Sequence, residues 1–465
     1  NRHLRITYTR ILICGETRKR MKSSGIIDPD ELVEAQPSTR RRFLLTRGSA
    51  VIGILLLLAI VFNATSAGYA QFLGGQGWGI VLGGPGASSE QALLNTIRNK
   101  LRQQATPGAT ATAQQQETAQ QYINLILQGM TLDQKLGQMM IVQFLGPTYT
   151  LAINTMISQY DVGAALLYSA NGNIQSKTQL KGLIAQMQQA SGLSMLISID
   201  QEGGYVDRLV NLDGPRPSAA SIGATNDPAQ ALVEGERDAA DLSSYGFNLN
   251  LAPVVDVTTV PNPQLFGRTF GDTPDSVTRM AAAYLQGLQQ SGKVFGTLKH
   301  FPGLGDVATD PHNGVPDVYR SLAALQAIDW APYRALIAQG NVHAVMVTHE
   351  VIHAVDPNLP SSLSYKLVTG ILRDQLGFNG VIMTDSLTMQ GLTAFYSEAQ
   401  AAALAIEAGD DLLMGASTPQ DVAAMIEGIK QVIASNGISM ARIDDSVRRI
   451  LTLKFELGLL PLPNN

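Results

Sequence analysis

The hydrophobic pattern of residues 121–460 alternates between two spacings. Short apolar runs have the length and composition of buried strands, and amphipathic stretches of helical length separate most of them. The strand-like runs lie at 139–145, 163–168, 194–199, 249–255, 294–298, 344–347, 380–383 and 411–414. The helical stretches lie at 174–190, 228–244, 274–291, 321–339, 364–375, 397–408, 419–434 and 443–457.

Eight strand-like runs that alternate with helices predict an α/β protein, specifically a (β/α)8 barrel of the TIM type. We expect this barrel to occupy residues 121–465 and to be a monomer. A doubly wound open sheet uses the same alternation and is the structural alternative.

The first 120 residues have a different pattern. Residues 1–47 carry eleven Lys and Arg against five Asp and Glu, and residues 48–89 carry no charge. The uncharged stretch starts with an apolar run at 48–62 that extends through residue 67 to the length of a membrane span. Basic residues before the run predict a cytoplasmic head at 1–47 and a transmembrane or cleaved signal segment at 48–67. Residues 39–45, TRRRFLL, also resemble a twin-arginine export signal.

Residues 71–120 are first glycine-rich and then rich in Thr, Ala and Gln, which predicts a flexible, disordered stalk. Order is expected from about Gln121. The predicted location is therefore the cell membrane with an extracytoplasmic barrel, or outside the cell if the signal is cleaved.

Charge and cysteine content exclude several function classes. Without the basic head the chain carries a net charge of about −11, so it is a poor partner for nucleic acid. Cys14 is the sole cysteine, so residues 48–465 can form neither a disulfide nor a cysteine metal site. We predict neither a metal nor another cofactor.

Polar residues directly follow several of the strand-like runs. They are Asp200, the pair Lys299 and His300, His349, and Asp385. In a (β/α)8 barrel the carboxyl ends of all strands meet at one mouth, where active sites are built. The pattern therefore predicts one shared functional site.

These residues belong to longer motifs. KHFPGLG at 299–305 is followed by Asp310, Pro311 and His312. The other blocks are MTLDQKLGQ at 130–138, IDQEGG at 199–204, GRTF at 267–270, GVIMTDSLTM at 380–389, AGDD at 408–411 and RRIL at 448–451. Together these blocks, spread over residues 122–460, resemble the single-domain β-N-acetylglucosaminidase branch of glycoside hydrolase family 3.

The resemblance implies a retaining glycosidase that removes terminal N-acetylglucosamine-type sugars from peptidoglycan or chitin fragments. Asp385 would be the nucleophile, while His312, oriented by Asp310, would be the acid/base. Imidazole suits this role because it titrates near neutral pH. The residues implied to bind the sugar are Asp200, Arg208, Arg268, Lys299 and His300.

The sequence departs from the family pattern in three places. Tyr205 stands where many members have Arg, Leu304 replaces a usual His, and Pro311 stands where Ser is common. The departures at Tyr205 and Leu304 concern which sugars the subsites prefer. Pro311 would stiffen the loop that carries the acid/base.

Four other functions remain open. HEVIH at 349–353 matches a zinc-protease motif, although that motif binds zinc only from a helix and here follows a strand-like run. A histidine acid/base does not repel phosphate, so a phosphorylase is an alternative. Another β-glycosidase of the family and a non-catalytic, membrane-tethered glycan-binding protein are the others.

Overall fold

The computed structural model of the protein describes residues 111–307 and 314–460, with side chains from residue 117 onward. Within these residues, eight parallel strands form a closed barrel and follow chain order around the ring. The strands are β1 Met140–Val142, β2 Ala164–Leu166, β3 Leu196–Ile199, β4 Leu249–Asn250, β5 Phe295–Phe301, β7 Ala344–Val347, β9 Val381–Ser386 and β10 Leu412–Met414. The ring closes because Met140 of β1 pairs with Leu413 of β10. An open doubly wound sheet lacks such a pair, so the predicted barrel is confirmed.

Helices alternate with these strands along the chain. They are α1 Ala111–Gly129, α2 Leu132–Gln138, α3 Leu151–Tyr160, α4 Lys177–Ala190, α5 Val210–Asp213, α6 Ala219–Gly223, α7 Pro228–Tyr245, α8 Pro274–Gln289, α9 Leu322–Ala327, α10 Ala331–Ile337, α11 Gln390–Thr393, α12 Glu398–Ala408, α13 Pro419–Ala434 and α14 Met440–Glu456. A π-helix spans Lys366–Gln375. Ser and Thr side chains cap the amino termini of several helices by accepting a hydrogen bond from a free backbone N–H, as Ser176 does for α4 and Thr273 for α8.

Local chemistry explains two differences from the prediction. Strand β4 is shorter than predicted because Pro253 has no N–H to donate, and only an isolated bridge between Val254 and Lys299 continues the pairing. The helix predicted at 321–339 is divided into α9 and α10, with Pro332 in the first turn of α10. A two-stranded parallel sheet of β6 Asp317–Val318 and β8 Val351–Ile352 lies outside the barrel.

The amino-terminal predictions fall mostly outside the described residues. The head at 1–47, the apolar segment at 48–67 and the stalk up to residue 110 all do. Between residues 111 and 460, among those described, no helix is both long and apolar enough to cross a membrane. Helix α1 begins at Ala111, so residues 111–120, which we assigned to the stalk, are helical.

A buried ion cluster joins three elements at the amino-terminal end of the barrel. Asp411, which precedes β10, is fully buried. Its Oδ2 lies 2.8 Å from Nη2 of Arg373 in the π-helix, and its Oδ1 lies 3.1 Å from Nη1 of Arg449 in α14. The hydroxyl of Ser446 also donates to Oδ1, at 2.5 Å. These contacts tie α14 to the barrel at the end opposite the strands' carboxyl termini.

Candidate active site

A cavity of about 310 Å³ opens at the carboxyl ends of the barrel strands. Six of the eight predicted site residues line it: Asp200, Arg208, Arg268, Lys299, His300 and Asp385. The other two, Asp310 and His312, lie outside the described residues together with Pro311. These six side chains therefore lie together, as expected if the strand ends converge on one mouth.

Asp385 lies near the end of β9, with its side chain partly exposed to the cavity. Its Oδ1 accepts a hydrogen bond from the backbone N–H of Ser386, at 2.7 Å. The carbonyl of Ser386 lies 3.0 Å from Nε2 of His349, whose Nδ1 lies 2.7 Å from the hydroxyl of Ser362. Since a carbonyl only accepts, Nε2 carries a proton and donates to Ser386. His349 thus supports the backbone beside Asp385.

Lys299 is a buried cation between two carboxylates. Its Nζ lies 2.6 Å from Oδ1 of Asp200 and 2.6 Å from Oε1 of Glu202, and only 2% of its side chain is exposed. Burial lowers the pKa of Lys299, but the charges of Asp200 and Glu202 outweigh burial and raise the pKa above its usual value. Lys299 therefore remains charged and holds Asp200 toward the cavity.

Glu202 is the centre of the charge network, although we did not select it from the sequence. Arg268 donates two hydrogen bonds to it, from Nε at 2.7 Å and from Nη2 at 2.8 Å. Burial raises the pKa of Glu202, but Lys299 and Arg268 outweigh burial and hold the pKa well below its usual range. Glu202 is thus ionised, with both oxygens engaged. Its place in the IDQEGG block, two residues after Asp200, was the available signal.

His300 is oriented by Asp256, a second residue that we did not select. Nδ1 of His300 lies 2.7 Å from Oδ2 of Asp256, and Nε2 lies 3.3 Å from Nη2 of Arg268. Because arginine only donates, Nε2 accepts there and Nδ1 carries the proton that bonds Asp256. Asp256 also accepts the backbone N–H of Leu304, at 2.9 Å, which ties down the 299–305 segment. Asp256 directly follows an apolar run, so the strand-end rule could have found it.

Arg208 reaches the cavity from the loop after β3. Its guanidinium lies 5.5 Å from the ring centroid of Tyr168, which also lines the cavity. Its backbone N–H donates to Oε1 of buried Gln201, at 3.0 Å. Contact with an aromatic face leaves the guanidinium edge available to a ligand's oxygen atoms.

The HEVIH segment is not the helix that a zinc protease requires. Val351 and Ile352 form strand β8, and His353 contacts Asp317 of β6 at 2.7 Å. His349 is buried and faces Ser362 and Ser386 instead. The two imidazoles therefore do not share a helix face, and within residues 111–307 and 314–460 no cluster of His, Cys, Asp and Glu is arranged to hold a metal ion.

This cavity combines one carboxylate outside the charge network with cations and acceptors fixed around it. Asp385 presents a carboxylate oxygen to the cavity, and Lys299 holds Asp200 where it can accept hydrogen bonds from hydroxyl groups. Arg208 and Arg268 supply N–H groups for hydroxyl and carbonyl oxygens, and His300 also lines the cavity. Such a set suits a small, multiply hydroxylated ligand.

Comparison with known proteins agrees with this chemistry. The sequence model of the Glycosyl hydrolase family 3 N terminal domain matches residues 131–453. The chain is 32% identical over 329 residues to Beta-hexosaminidase LpqI of Mycobacterium tuberculosis, covering 69% of this chain and 82% of that protein. It is 31% identical to Beta-hexosaminidase A of Pseudoalteromonas piscicida, covering 66% of this chain and 55% of that longer protein.

A solved structure shares the fold. The family 3 β-N-acetylglucosaminidase of Paenibacillus sp. str. FPU-7 superimposes with a TM-score of 0.67 and 35% sequence identity, over 71% of this chain and 63% of that one. The family match covers most of the chain and all six described site residues. The chain therefore belongs to glycosyl hydrolase family 3 and is a glycoside hydrolase.

Proposed function

We propose that the protein is a retaining exo-β-N-acetylglucosaminidase that acts on peptidoglycan- or chitin-derived glycans. The observation that supports this most strongly is the shared cavity of Asp385, Asp200 and the buried cation Lys299. The relatives named beta-hexosaminidase support the choice of sugar. The basic head and apolar segment of the sequence support anchoring at the membrane, or export, with the barrel outside the cytoplasm.

In the proposed reaction Asp385 attacks the anomeric carbon, and the bond to the leaving oxygen breaks as the glycosyl-Asp385 ester forms. His312 protonates that oxygen, then takes a proton from the water that hydrolyses the ester. Asp310 orients His312 and adjusts its proton affinity. Asp200 accepts hydrogen bonds from the hydroxyl groups of the sugar, while Arg208, Arg268 and His300 contact the sugar and its acetamido group.

The substrate assignment is tested with the purified full chain on aryl β-N-acetylglucosaminide and aryl β-glucoside, each with and without phosphate. We expect preferential hydrolysis of the first, with free N-acetylglucosamine as the product in both buffers. A sugar 1-phosphate product would make the protein a phosphorylase. Faster turnover of the glucoside would indicate another β-glycosidase, and binding without turnover a glycan-binding protein.

The proposed acid/base is tested by leaving groups of different basicity. His312→Ala should slow turnover of an alkyl glycoside by about 10²–10⁴-fold, because general acid catalysis contributes that much. Formation of the glycosyl-enzyme from a dinitrophenyl glycoside should be much less impaired, because that leaving group departs without a proton. The intermediate should then accumulate, since its breakdown still needs a base. Equal slowing of both substrates would place the acid/base elsewhere.

A further inference from the structure

Two large aromatic side chains stand side by side on the surface near the cavity. Tyr205 is 75% exposed and Phe266 is 67% exposed. Their ring centroids are 5.7 Å apart and the ring planes are inclined by 56°. Single exposed apolar residues are ordinary, but two in contact leave a continuous aromatic surface in water, a feature that is common at binding sites.

The backbone that presents Tyr205 is tightly constrained. Gly203 and Gly204 precede it with φ angles of 81° and 60°, a region that favours glycine. A side chain at Gly203 would come within 2.3 Å of the carbonyl oxygen of Pro217, and one at Gly204 within 2.6 Å of Cβ of Ser218. The turn therefore packs against Pro217 and Ser218, and these contacts fix the backbone that carries Tyr205.

Phe266 is presented in a comparable way. It follows the 3₁₀ turn Pro263–Leu265, which Asn262 caps by accepting the N–H of Gln264 at 2.9 Å. The amide of Asn262 donates to the carbonyl of Leu304, at 2.8 Å. A Cβ at Gly267 would lie 3.4 Å from Cδ2 of Tyr205, so the tyrosine ring packs closely over this glycine.

The pair adjoins the mouth of the cavity. On either side of Tyr205, Glu202 and Val206 line the cavity, and on either side of Phe266, Gln264 and Arg268 line it. The two aromatic rings do not line the cavity themselves, and both are exposed to solvent beside these residues. A ligand that fills the cavity and continues outward on this side would therefore meet the rings.

We propose that Tyr205 and Phe266 form a platform for the sugar ring of the leaving group. This inference rests on the proposed function, in which the terminal sugar fills the cavity over Asp385. The remainder of the glycan must then leave through the mouth, next to the bond that breaks. The apolar face of a pyranose carries C–H groups of slight positive charge, which pack on the negative face of an aromatic ring.

The platform is tested by comparing two substrates that differ only in the leaving group. They are the β-1,4-linked disaccharide of N-acetylglucosamine and methyl β-N-acetylglucosaminide, whose methyl group has no ring to stack. For each form of the full chain, kcat/KM for the disaccharide is divided by kcat/KM for the methyl glycoside. The intrinsic reactivity of the substrates cancels when this quotient is compared between variants.

Tyr205→Ala and Phe266→Ala should each lower the quotient about tenfold, which is the effect of losing one aromatic contact. Tyr205→Phe should retain the wild-type quotient, because stacking uses the ring and not the hydroxyl. Tyr365→Ala is the matched control, since Tyr365 is 62% exposed and no residue within five positions of it in the sequence lines the cavity.

Three results would overturn the platform. If wild type hydrolyses both substrates and neither alanine variant changes the quotient, the platform is wrong and the proposed function stands. If Tyr205→Phe lowers the quotient as much as Tyr205→Ala, the hydroxyl binds the sugar and stacking is wrong. If wild type hydrolyses no N-acetylglucosaminide, the proposed function fails and the platform fails with it.

Discussion

At the scale of single residues, two carboxylates in the same cavity have opposite surroundings. Glu202 is almost fully buried, and Lys299 and Arg268 engage both of its oxygens. Asp385 is partly exposed and accepts a hydrogen bond at Oδ1 from the adjacent backbone. An oxygen that is already held by two cations is a poor nucleophile, so the surroundings favour Asp385 as the reacting group.

Replacing Asp385 should therefore abolish turnover without unfolding the protein. Asp385→Asn is expected to lower kcat about 10⁴-fold or more, the size of effect seen when a nucleophile is removed. A 2-fluoro sugar inactivator should label Asp385 in the wild type, as detected by peptide mass spectrometry. Glu202→Gln is the matched variant and should still be labelled at Asp385. Labelling at Glu202 or Asp200 would contradict the assignment.

A second residue, Glu350, should make stability depend on pH. It is fully buried close to Gly303, and among the described residues no cation pairs with it. Burial raises the pKa of Glu350 well above its usual value, and the carboxylates of Asp256 and Asp329 raise it further. The folded state therefore keeps a proton that the unfolded chain releases above about pH 4.5.

The stability that this proton contributes is fully present below the pKa of Glu350 in the unfolded chain. It declines as the pH rises through the pKa of Glu350 in the folded protein. Glu350→Gln removes the titration while keeping the shape. The melting temperature of the variant, relative to wild type, should therefore rise between pH 4 and pH 8. The control variant is Glu427→Gln, at an exposed position in α13, whose melting temperature is compared with wild type at the same pH values. A difference that stays constant with pH would show that Glu350 is ionised in the folded state.

At the scale of elements, Asp411 connects β10, the π-helix and α14 through buried charge. Removing one partner of a buried ion pair leaves the other charge without compensation, which costs about 3–5 kcal/mol. Asp411→Asn should lower the free energy of unfolding by about that amount. At temperatures where the variant stays folded, kcat should be unaffected, because Asp411 lies at the end of the barrel opposite the cavity.

The matched control for this prediction is Asp445→Asn in α14. Asp445 is 56% exposed and pairs with Arg448 at 2.7 Å. Exposed pairs contribute about 0–1 kcal/mol, so urea unfolding of this variant should closely follow wild type. Equal effects of the two substitutions would mean that the Asp411 cluster adds little to stability.

At the scale of the whole molecule, α1 is part of the catalytic domain. Tyr122 and Ile126 are buried, and the ring of Tyr122 lies 6.5 Å from that of Phe455 in α14. Asn124 also accepts a hydrogen bond from Nε of Arg448, at 3.4 Å. The helix therefore packs on the last helix of the chain.

Two shortened chains test this arrangement. A chain that starts at residue 108 should keep the melting temperature and activity of the full chain. One that starts at residue 131 should melt at a clearly lower temperature, because each buried side chain lost with α1 contributes about 1.5–3 kcal/mol. Identical melting of both would show that α1 does not stabilise the barrel.

The alternation of apolar runs and amphipathic helices determined a parallel α/β sheet, because a buried parallel strand must be apolar on both faces. The pairing of β1 with β10 decided that this sheet closes into a barrel. Sequence motifs likewise identified Asp200, Lys299, His300 and Asp385. Local signals misplaced the start of α1, since the Thr, Ala and Gln of residues 111–120 are also typical of a stalk. That helix is stabilised by packing of its later residues against α14, which lies far away in the sequence.

Only the tertiary structure decided which charges meet. Glu202 and Arg268 are 66 residues apart in sequence, and His300 and Asp256 are 44 apart. No periodicity encodes such pairs, because they depend on how neighbouring strands and loops are placed around the ring. The same holds for Tyr205 and Phe266, whose contact across two loops forms the aromatic surface. The sequence by itself determined the α/β alternation and the reactive residue types, while tertiary packing decided that the sheet closes and set the protonation, orientation and partners of those residues.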